Sequence, residues 1–368
     1  MKIKRIFKWS ALAILLILFA WFEFAYWTST NDCGRSIPAG IERMKAIKYC
    51  EYGSPDNVLK LEDVAKPAPN DNQILVRVRA VSLRFFDSGM LEGGVGRLIF
   101  GLRKPKNTTP GSDFAGTVEA VGRNVTEFKP NDEVFGVRGG ALAEYVCVRV
   151  NGAIASKPVN VNFEQAASIP TALVALQGLR DTARVKAGQK VLINGASGGV
   201  GTFAVQIAKS LGAEVTGVCS THNVDLVKSL GADHVIDYTK EDFTKNDQRY
   251  DVIYDLVNNR SFAERRRVLK PGGICILAGV GGSGMRKETF FNLAGSLTAA
   301  LRSKFSKEKF VMFGVDINKK DLVILRNLTE SGRVMSALTK TYPFTETAAA
   351  YKYLETGHAS GKIAITIE

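Results

Sequence analysis

The residues best placed to do chemistry are Gly195, Ala196, Ser197, Gly198, Gly199, Val200 and Gly201. They follow the apolar run Lys190–Asn194 and open a segment with Ala204, Ile207 and Ala208 at helical spacing. Strand, glycine-rich turn and helix start together suit a pyrophosphate. Gly198 and Gly199 let the backbone approach the phosphates, and Gly201 lets helix and strand pack closely. The helix N-terminus adds unpaired N–H groups and partial positive charge. A tight turn with no ligand is the competing reading, but the strand–helix repeats that follow favour a dinucleotide. No Gly-Lys-Ser/Thr closes the turn, so nucleotide hydrolysis is disfavoured.

A second group stands where the next strand ends, at Cys219, Ser220, Thr221 and His222. A site for NAD places Asp or Glu here to accept from the ribose hydroxyls. This chain has two hydroxyls, Ser220 and Thr221, and no carboxylate before Asp225. Without that charge a 2′-phosphate is not repelled, which points to NADPH, and Lys228 lies near enough to contact it. Ser220 could equally cap the next helix, and both roles are compatible.

Metal chemistry finds no support. Cys33, Cys50, Cys147, Cys219 and Cys275 are scattered with no C-x-x-C, so neither a disulfide framework nor a thiolate cluster is expected. His222, His234 and His358 have no ligand spacing. The 49 Lys+Arg exceed the 36 Asp+Glu by 13, which alone decides nothing between anionic partners and a basic surface. Basic and aromatic residues interleave at 301–310, and 97–106 is basic and apolar. With no nucleic-acid fold in view, both read as solvated faces or as leaning on anionic lipid.

The elements that must position these residues fall into blocks. Residues 1–35 carry Lys2, Lys4, Arg5 and Lys8 before an apolar run from Trp9 to Trp27. Nineteen residues make about 28 Å of helix, close to a bilayer core of about 30 Å, with Trp9, Trp21, Tyr26 and Trp27 near the ends. A retained single-pass membrane anchor is therefore expected; a cleaved signal and a buried core helix are the rival readings, and the side of the membrane stays open. Short strands broken by turn residues are expected at 44–49, 73–81, 115–121 and 145–150, giving a largely antiparallel region. A helix is expected over 166–182. Strands at 190–194, 214–219, 234–236, 250–257 and 273–278 alternate with helices, which implies a doubly wound parallel sheet.

The glycine-rich turn with Ala204-Val-Gln-Ile-Ala-Lys209 resembles the medium-chain dehydrogenase/reductase superfamily, most closely its zinc-independent quinone oxidoreductase branch. Gly231-Ala-Asp-His-Val-Ile-Asp-Tyr238, Lys270-Pro-Gly-Gly273, Pro110-Gly-Ser-Asp-Phe-Ala-Gly116, Asn131-Asp-Glu-Val-Phe-Gly136 and the closing Gly361-Lys362 are similar too. The likeness covers about residues 44–368. It implies a GroES-like substrate domain (36–160, with 313–368 returning to it), an inserted Rossmann NADP-binding domain (161–312), and an active site between them. A homodimer is implied as well. By matching positions, Ser197, Gly199 and Val200 would hold the pyrophosphate, Ser220 and Tyr238 the 2′-phosphate, and Asn258 and Gly279 would flank the nicotinamide. Zinc-dependent relatives carry Gly-His-Glu where this chain has Gly111-Ser112-Asp113, and a cysteine ahead of an Asp where it has Phe85 and Asp87. The chain also departs from its own branch. Arg84 stands in the segment that usually holds Asn, Asn223 replaces a lysine near the phosphate, and Val174 and Ala175 replace a Thr after Pro170.

These features point to hydride transfer from NADPH to a quinone or α,β-unsaturated carbonyl, since alcohol oxidation would want a Lewis acid. Arg84 and Asp87 could orient substrate, but buried-pair or surface roles compete, so no catalytic residue is assigned. The alternative reading is a membrane-tethered NADPH-binding scaffold or sensor with little catalysis. Nucleic acid is not an expected partner.

Overall fold

The computed structural model describes residues 26–34, 36–94, 97–278, 298–303, 306–357 and 359–368, with positions 20, 23, 24 and 295 besides. Alternating polar and apolar residues build the first layer. Strands β1 (Arg43–Lys48) and β2 (Lys60–Ala65) pair as an antiparallel ribbon. Strands β3 (Gln73–Leu83), β4 (Asp113–Val121), β5 (Glu133–Val137), β6 (Tyr145–Arg149) and β7 (Ile154–Ser156) belong to a larger sheet. Its buried face carries Val76, Val78, Phe114, Val134 and Val146.

Runs that are apolar on both faces build the second layer. Strands β8 (Lys190–Asn194), β9 (Glu214–Cys219), β10 (His234–Asp237), β11 (Tyr250–Asp255), β12 (Leu269–Leu277) and β13 (Lys309–Val311) form a parallel sheet ordered β10-β9-β8-β11-β12-β13. This is the doubly wound order whose reversal falls between β8 and β11, and such sheets bind ligands beyond the carboxyl ends of those strands. Val191 and Ile193 of β8 and Phe203 and Ile207 of the helix Gly199–Ser210 are fully buried.

The chain ends in β14 (Leu338–Pro343) and β15 (Lys362–Thr366), which join the first large sheet beside β3. One apolar cluster runs from Ala80, Ala115 and Phe135 of that sheet through Leu173 to Val191 of the other sheet and Phe203 of the helix Gly199–Ser210. The two layers are thus packed against each other, and their loops meet at one edge.

Three expectations need correction. The helix expected over 166–182 is broken: Phe163–Ser168, a tighter turn Ile169–Thr171, Ala172–Gln177 and a wider turn Gly178–Thr182. Pro170 has no N–H to give, so one regular helix cannot pass through it. The expected single-pass membrane anchor is overturned: no helix among the described residues is long and apolar enough to cross a membrane. Residues 1–19, which hold most of the apolar run, lie outside the described residues. Its described end stops at Trp27, and the polar stretch after it is fastened to the β-rich layer. Asn31 Nδ2 donates to the Cys50 carbonyl (2.9 Å), and Lys48 pairs with Asp32 (3.3 Å). There Cys33 and Cys50 form a disulfide, while Cys147, Cys219 and Cys275 are free. Scatter along the chain argued against a disulfide framework, and it could not register a single bridge made by this fold-back.

Candidate active site

The glycine-rich turn is built by close backbone approach. Gly195 takes φ 89°, and the N–H groups of Gly195 and Ala196 donate to the Val218 carbonyl at 3.2 and 2.9 Å. A Cβ on Gly201 would lie 2.0 Å from the Gly195 oxygen, so only glycine fits there. Gly198 is the N-cap of the helix Gly199–Ser210, and no side chain among the described residues caps it. The orphan N–H groups of that first turn are thus left for a ligand, as an anion site requires. Val200 packs partly against the core. The Ser197 carbonyl accepts from Gly361 N (2.8 Å), and a Cβ on Gly199 would sit 3.1 Å from Lys362 Cδ. The returning strand β15 therefore starts directly over the turn.

Ser220, Thr221 and Tyr238 come together at the ends of β9 and β10, where Tyr238 N donates to the Cys219 carbonyl (3.0 Å). The Ser220 side chain caps no helix; its Oγ accepts from Asn223 Nδ2 (3.1 Å), and Ser360 Oγ donates to Asn223 Oδ1 (2.6 Å) across from the other layer. Thr221 is differently engaged: its hydroxyl donates to Asp237 (2.6 Å). Hydrogen bonds from Thr221 and Thr239 hold that carboxyl well below the usual range. A carboxylate thus does stand beside the second strand's end. It was missed because it arrives from the third strand. Tyr238 stays half-exposed.

Asn258 lies beyond β11 at φ 61°, its N–H on Asp255 Oδ1 (2.8 Å) and its carboxamide oxygen accepting from Arg265. Arg265 pairs with Asp255 (2.8 Å), which also accepts from Asn194 Nδ2 (2.8 Å). This buried network ties the ends of β8 and β11 together at the reversal of strand order. Gly279 lies outside the described residues.

The sequence signalled the next feature weakly. Arg84 N-caps the helix Phe85–Glu92, and its own N–H donates to Asp87 Oδ2 (3.0 Å). Its guanidinium lies between Asp87 and Asp113, 3.6 Å from each, and donates to Ser112 Oγ. Thr171 Oγ1 donates to Asp113 Oδ2 (2.8 Å), and Lys362 Nζ donates to Thr171 Oγ1 and the Leu83 carbonyl, both at 2.8 Å. Two cations and two anions therefore meet in one cluster, in which Asp87, Asp113 and Lys362 are buried and Arg84 is partly exposed. Burial pulls the Lys362 ammonium down to about 8. Burial also raises the Asp87 carboxyl, with Arg84 opposing. Burial works against the charge of Arg84, but Asp113 and Asp87 outweigh it and raise its pKa. Thr171 escaped the sequence reading altogether, and Lys362 figured only in the closing Gly361-Lys362. Among the described residues, no group of three or more His, Cys, Asp and Glu could hold a metal.

Comparison with known proteins agrees with this architecture. Residues 70–158 match the family described as alcohol dehydrogenase GroES-like domain, and residues 230–365 match that described as zinc-binding dehydrogenase. The chain is 35% identical to a 2-methylene-furan-3-one reductase of Solanum lycopersicum, covering 90% of this chain and 80% of that one. It is 31% identical to a chloroplastic quinone-oxidoreductase homolog of Spinacia oleracea, covering 88% and 98%. The solved quinone oxidoreductase from Coxiella burnetii superposes with a TM-score of 0.77 at 31% identity, covering 89% of this chain and all of that one. The chain thus belongs to the medium-chain dehydrogenase/reductase superfamily, among its quinone oxidoreductase-like members, and is a reductase of that kind.

Proposed function

We propose that this enzyme uses NADPH, without zinc, to reduce a quinone or an α,β-unsaturated carbonyl. One observation carries the reading: an uncapped, glycine-lined helix start lies against a cluster in which Arg84 occupies the space between two carboxylates. The turn supplies what a diphosphate needs, and a fixed guanidinium leaves no room for a cation between Asp87 and Asp113. Ala196, Ser197, Gly198, Gly199, Val200 and Gly201 would hold the diphosphate. Ser220, Thr221 and Tyr238 would flank the 2′-phosphate, and Asn258 and Gly279 the nicotinamide. Asp237 does not oppose this, because Thr221, Thr239 and Lys240 (3.3 Å) already satisfy it. Residues 36–160 and 313–368 would form the substrate domain and 161–312 the cofactor domain. The names of relatives point the same way, including an NADPH-dependent alkenal/one oxidoreductase of Arabidopsis thaliana at 34% identity.

When bound, the reduced nicotinamide supplies hydride. The chain's part is to bind and orient the substrate and keep the cleft dry. The test follows NADPH oxidation at its nicotinamide absorbance over a panel of quinones and enones, with G199D as control. No turnover on any acceptor removes the reading. A kcat/KM higher with NADH than with NADPH overturns the cofactor preference, and loss of activity to a chelator overturns zinc independence.

A further inference from the structure

We propose that Arg84 is a catalytic residue, whose guanidinium receives the substrate's carbonyl oxygen as negative charge develops on it; this rests on the reductase reading above. Three observations carry it. The first is place. Lys362, Thr171, Asp113 and Arg84 follow one another through contacts of 2.8, 2.8 and 3.6 Å, starting at the side chain that touches the Gly199 position. The cluster therefore extends from the glycine-rich turn into the junction between the two layers.

The second is exposure. The side chains of Asp87 and Asp113 are 5% and 1% exposed, and Lys362 is 2% exposed, whereas the Arg84 side chain keeps 28%. Of the four charged members, Arg84 alone can meet a ligand. The third is donor capacity. A guanidinium has five N–H groups. Ser112 takes a hydrogen bond from one nitrogen, and at 3.6 Å the carboxylates attract the charge without closing hydrogen bonds. Among the described residues, Asp113 Oδ1 accordingly accepts no hydrogen bond. Arg84 Nε is buried and unpaired among the described residues, so the donors left for a ligand are those of the two terminal nitrogens, and a planar fork so placed stabilises an oxyanion without reorganisation.

The step balances. Hydride, with the reduced nicotinamide as its source, adds at the β-carbon of the enone, and the C=C π pair shifts to place negative charge on the carbonyl oxygen. Arg84 donates to that enolate oxygen. The enolate then takes a proton from water at the α-carbon, leaving hydroxide to the solvent and giving the saturated carbonyl and the oxidised cofactor.

The experiment compares wild type with R84Q and R84K by three readouts. In steady-state enone reduction, R84Q should lower kcat about 10²–10³-fold, the usual cost of one oxyanion donor. R84K should recover at least about tenfold of that loss, because charge remains while the fork is gone. The NADPH dissociation constant, read by fluorescence, should stay within about threefold, since the cofactor loop is intact. The third readout needs no turnover: 4-nitrophenol, titrated by absorbance in the presence of NADP+, mimics a conjugated oxyanion. Wild type should bind its phenolate form preferentially, and R84Q should lose that preference. R84Q/D113N, which restores charge balance, serves if R84Q alone does not fold. An R84Q or R84Q/D113N enzyme with kcat within about threefold of wild type and an unchanged nitrophenol titration overturns the proposal. Absence of NADPH-linked turnover in wild type instead removes the reductase reading, while the phenolate titration still reports on Arg84.

Discussion

Lys362 Nζ donates to Thr171 Oγ1 across 2.8 Å, joining the first residue of the last strand to the turn just after Pro170. The bond joins the largely antiparallel sheet to the broken helical segment that follows β7, and Thr171 passes it on to Asp113. Sheet and helical segment therefore share one buried polar network beside the cofactor turn. Its formal charges balance, Arg84 and Lys362 against Asp87 and Asp113, while Asp113 Oδ1 and Arg84 Nε are buried without a hydrogen-bond partner among the described residues.

The first prediction concerns pH. Burial holds the Lys362 pKa near 8 in the folded protein, against 10.5 for the free side chain. Between these values the unfolded chain binds more protons than the folded one. Stability must therefore rise with pH across that window, by up to about 3 kcal/mol from this group. Below pH 8 both states are protonated, and the cost of burying the charge is paid in full. Thermal midpoints of wild type and K362M from pH 7 to 10.5 should show wild type gaining on the variant as pH rises. A constant gap between them would contradict the argument.

Two glycines of one turn should behave differently. A methyl group at Gly201 would fall 2.0 Å from the Gly195 oxygen, and backbone cannot retreat as a side-chain tip can. G201A should thus cost at least about 1–3 kcal/mol, the price of overpacking. At Gly198 the nearest atom to such a methyl is 3.5 Å away, and φ is −76°, which any residue adopts. G198A should keep the wild-type melting temperature while weakening NADPH binding, measured by fluorescence, if phosphates approach the turn. Equal melting losses for both would mean that the turn is merely structural.

The Cys33–Cys50 bridge joins two residues 17 positions apart. By chain entropy a loop of that size contributes about 3 kcal/mol. C33S/C50S, or reduction of wild type, should lower the melting temperature by several degrees and leave NADPH affinity unchanged. The bridge lies by Asn31, Asp32 and Lys48, none of which joins the contacts described around the cofactor turn. A change in cofactor affinity without a melting shift would go against this assignment.

What the chain reveals about itself depends on whether the signal is local. Strands at 190–194 and 214–219 form with the expected bounds because strands buried on both faces are unbroken apolar runs. The glycine-rich turn is equally legible, since its whole geometry lies within seven consecutive residues. The helix Lys319–Glu330 was not foreseen; Lys319, Lys320 and Asp321 open it, and its apolar stripe is narrow. The polar cluster could not be read from spacing, because Arg84, Asp113, Thr171 and Lys362 meet only once both sheets and the returning strand are in place. Asp237 beside Thr221 escaped for the same reason.

The last prediction concerns the ribose end of the site. Asn223 receives a hydrogen bond from Ser360 and gives one to Ser220, which places it at the corner where the 2′-phosphate is proposed to bind. An ammonium there would form a charge-assisted hydrogen bond to a dianion, a type of bond that contributes about 1.5–3 kcal/mol. N223K should therefore raise the ratio of kcat/KM for NADPH over NADH at least about tenfold. The two bonds lost with Asn223 would loosen both cofactors alike, so they cancel in the ratio. S360A is the control, since it removes the crossing bond without adding charge, and it should leave the ratio unchanged. If N223K leaves the ratio where it was, the phosphate does not bind at this corner, and the assignment of Ser220 and Tyr238 to the 2′-phosphate fails with it.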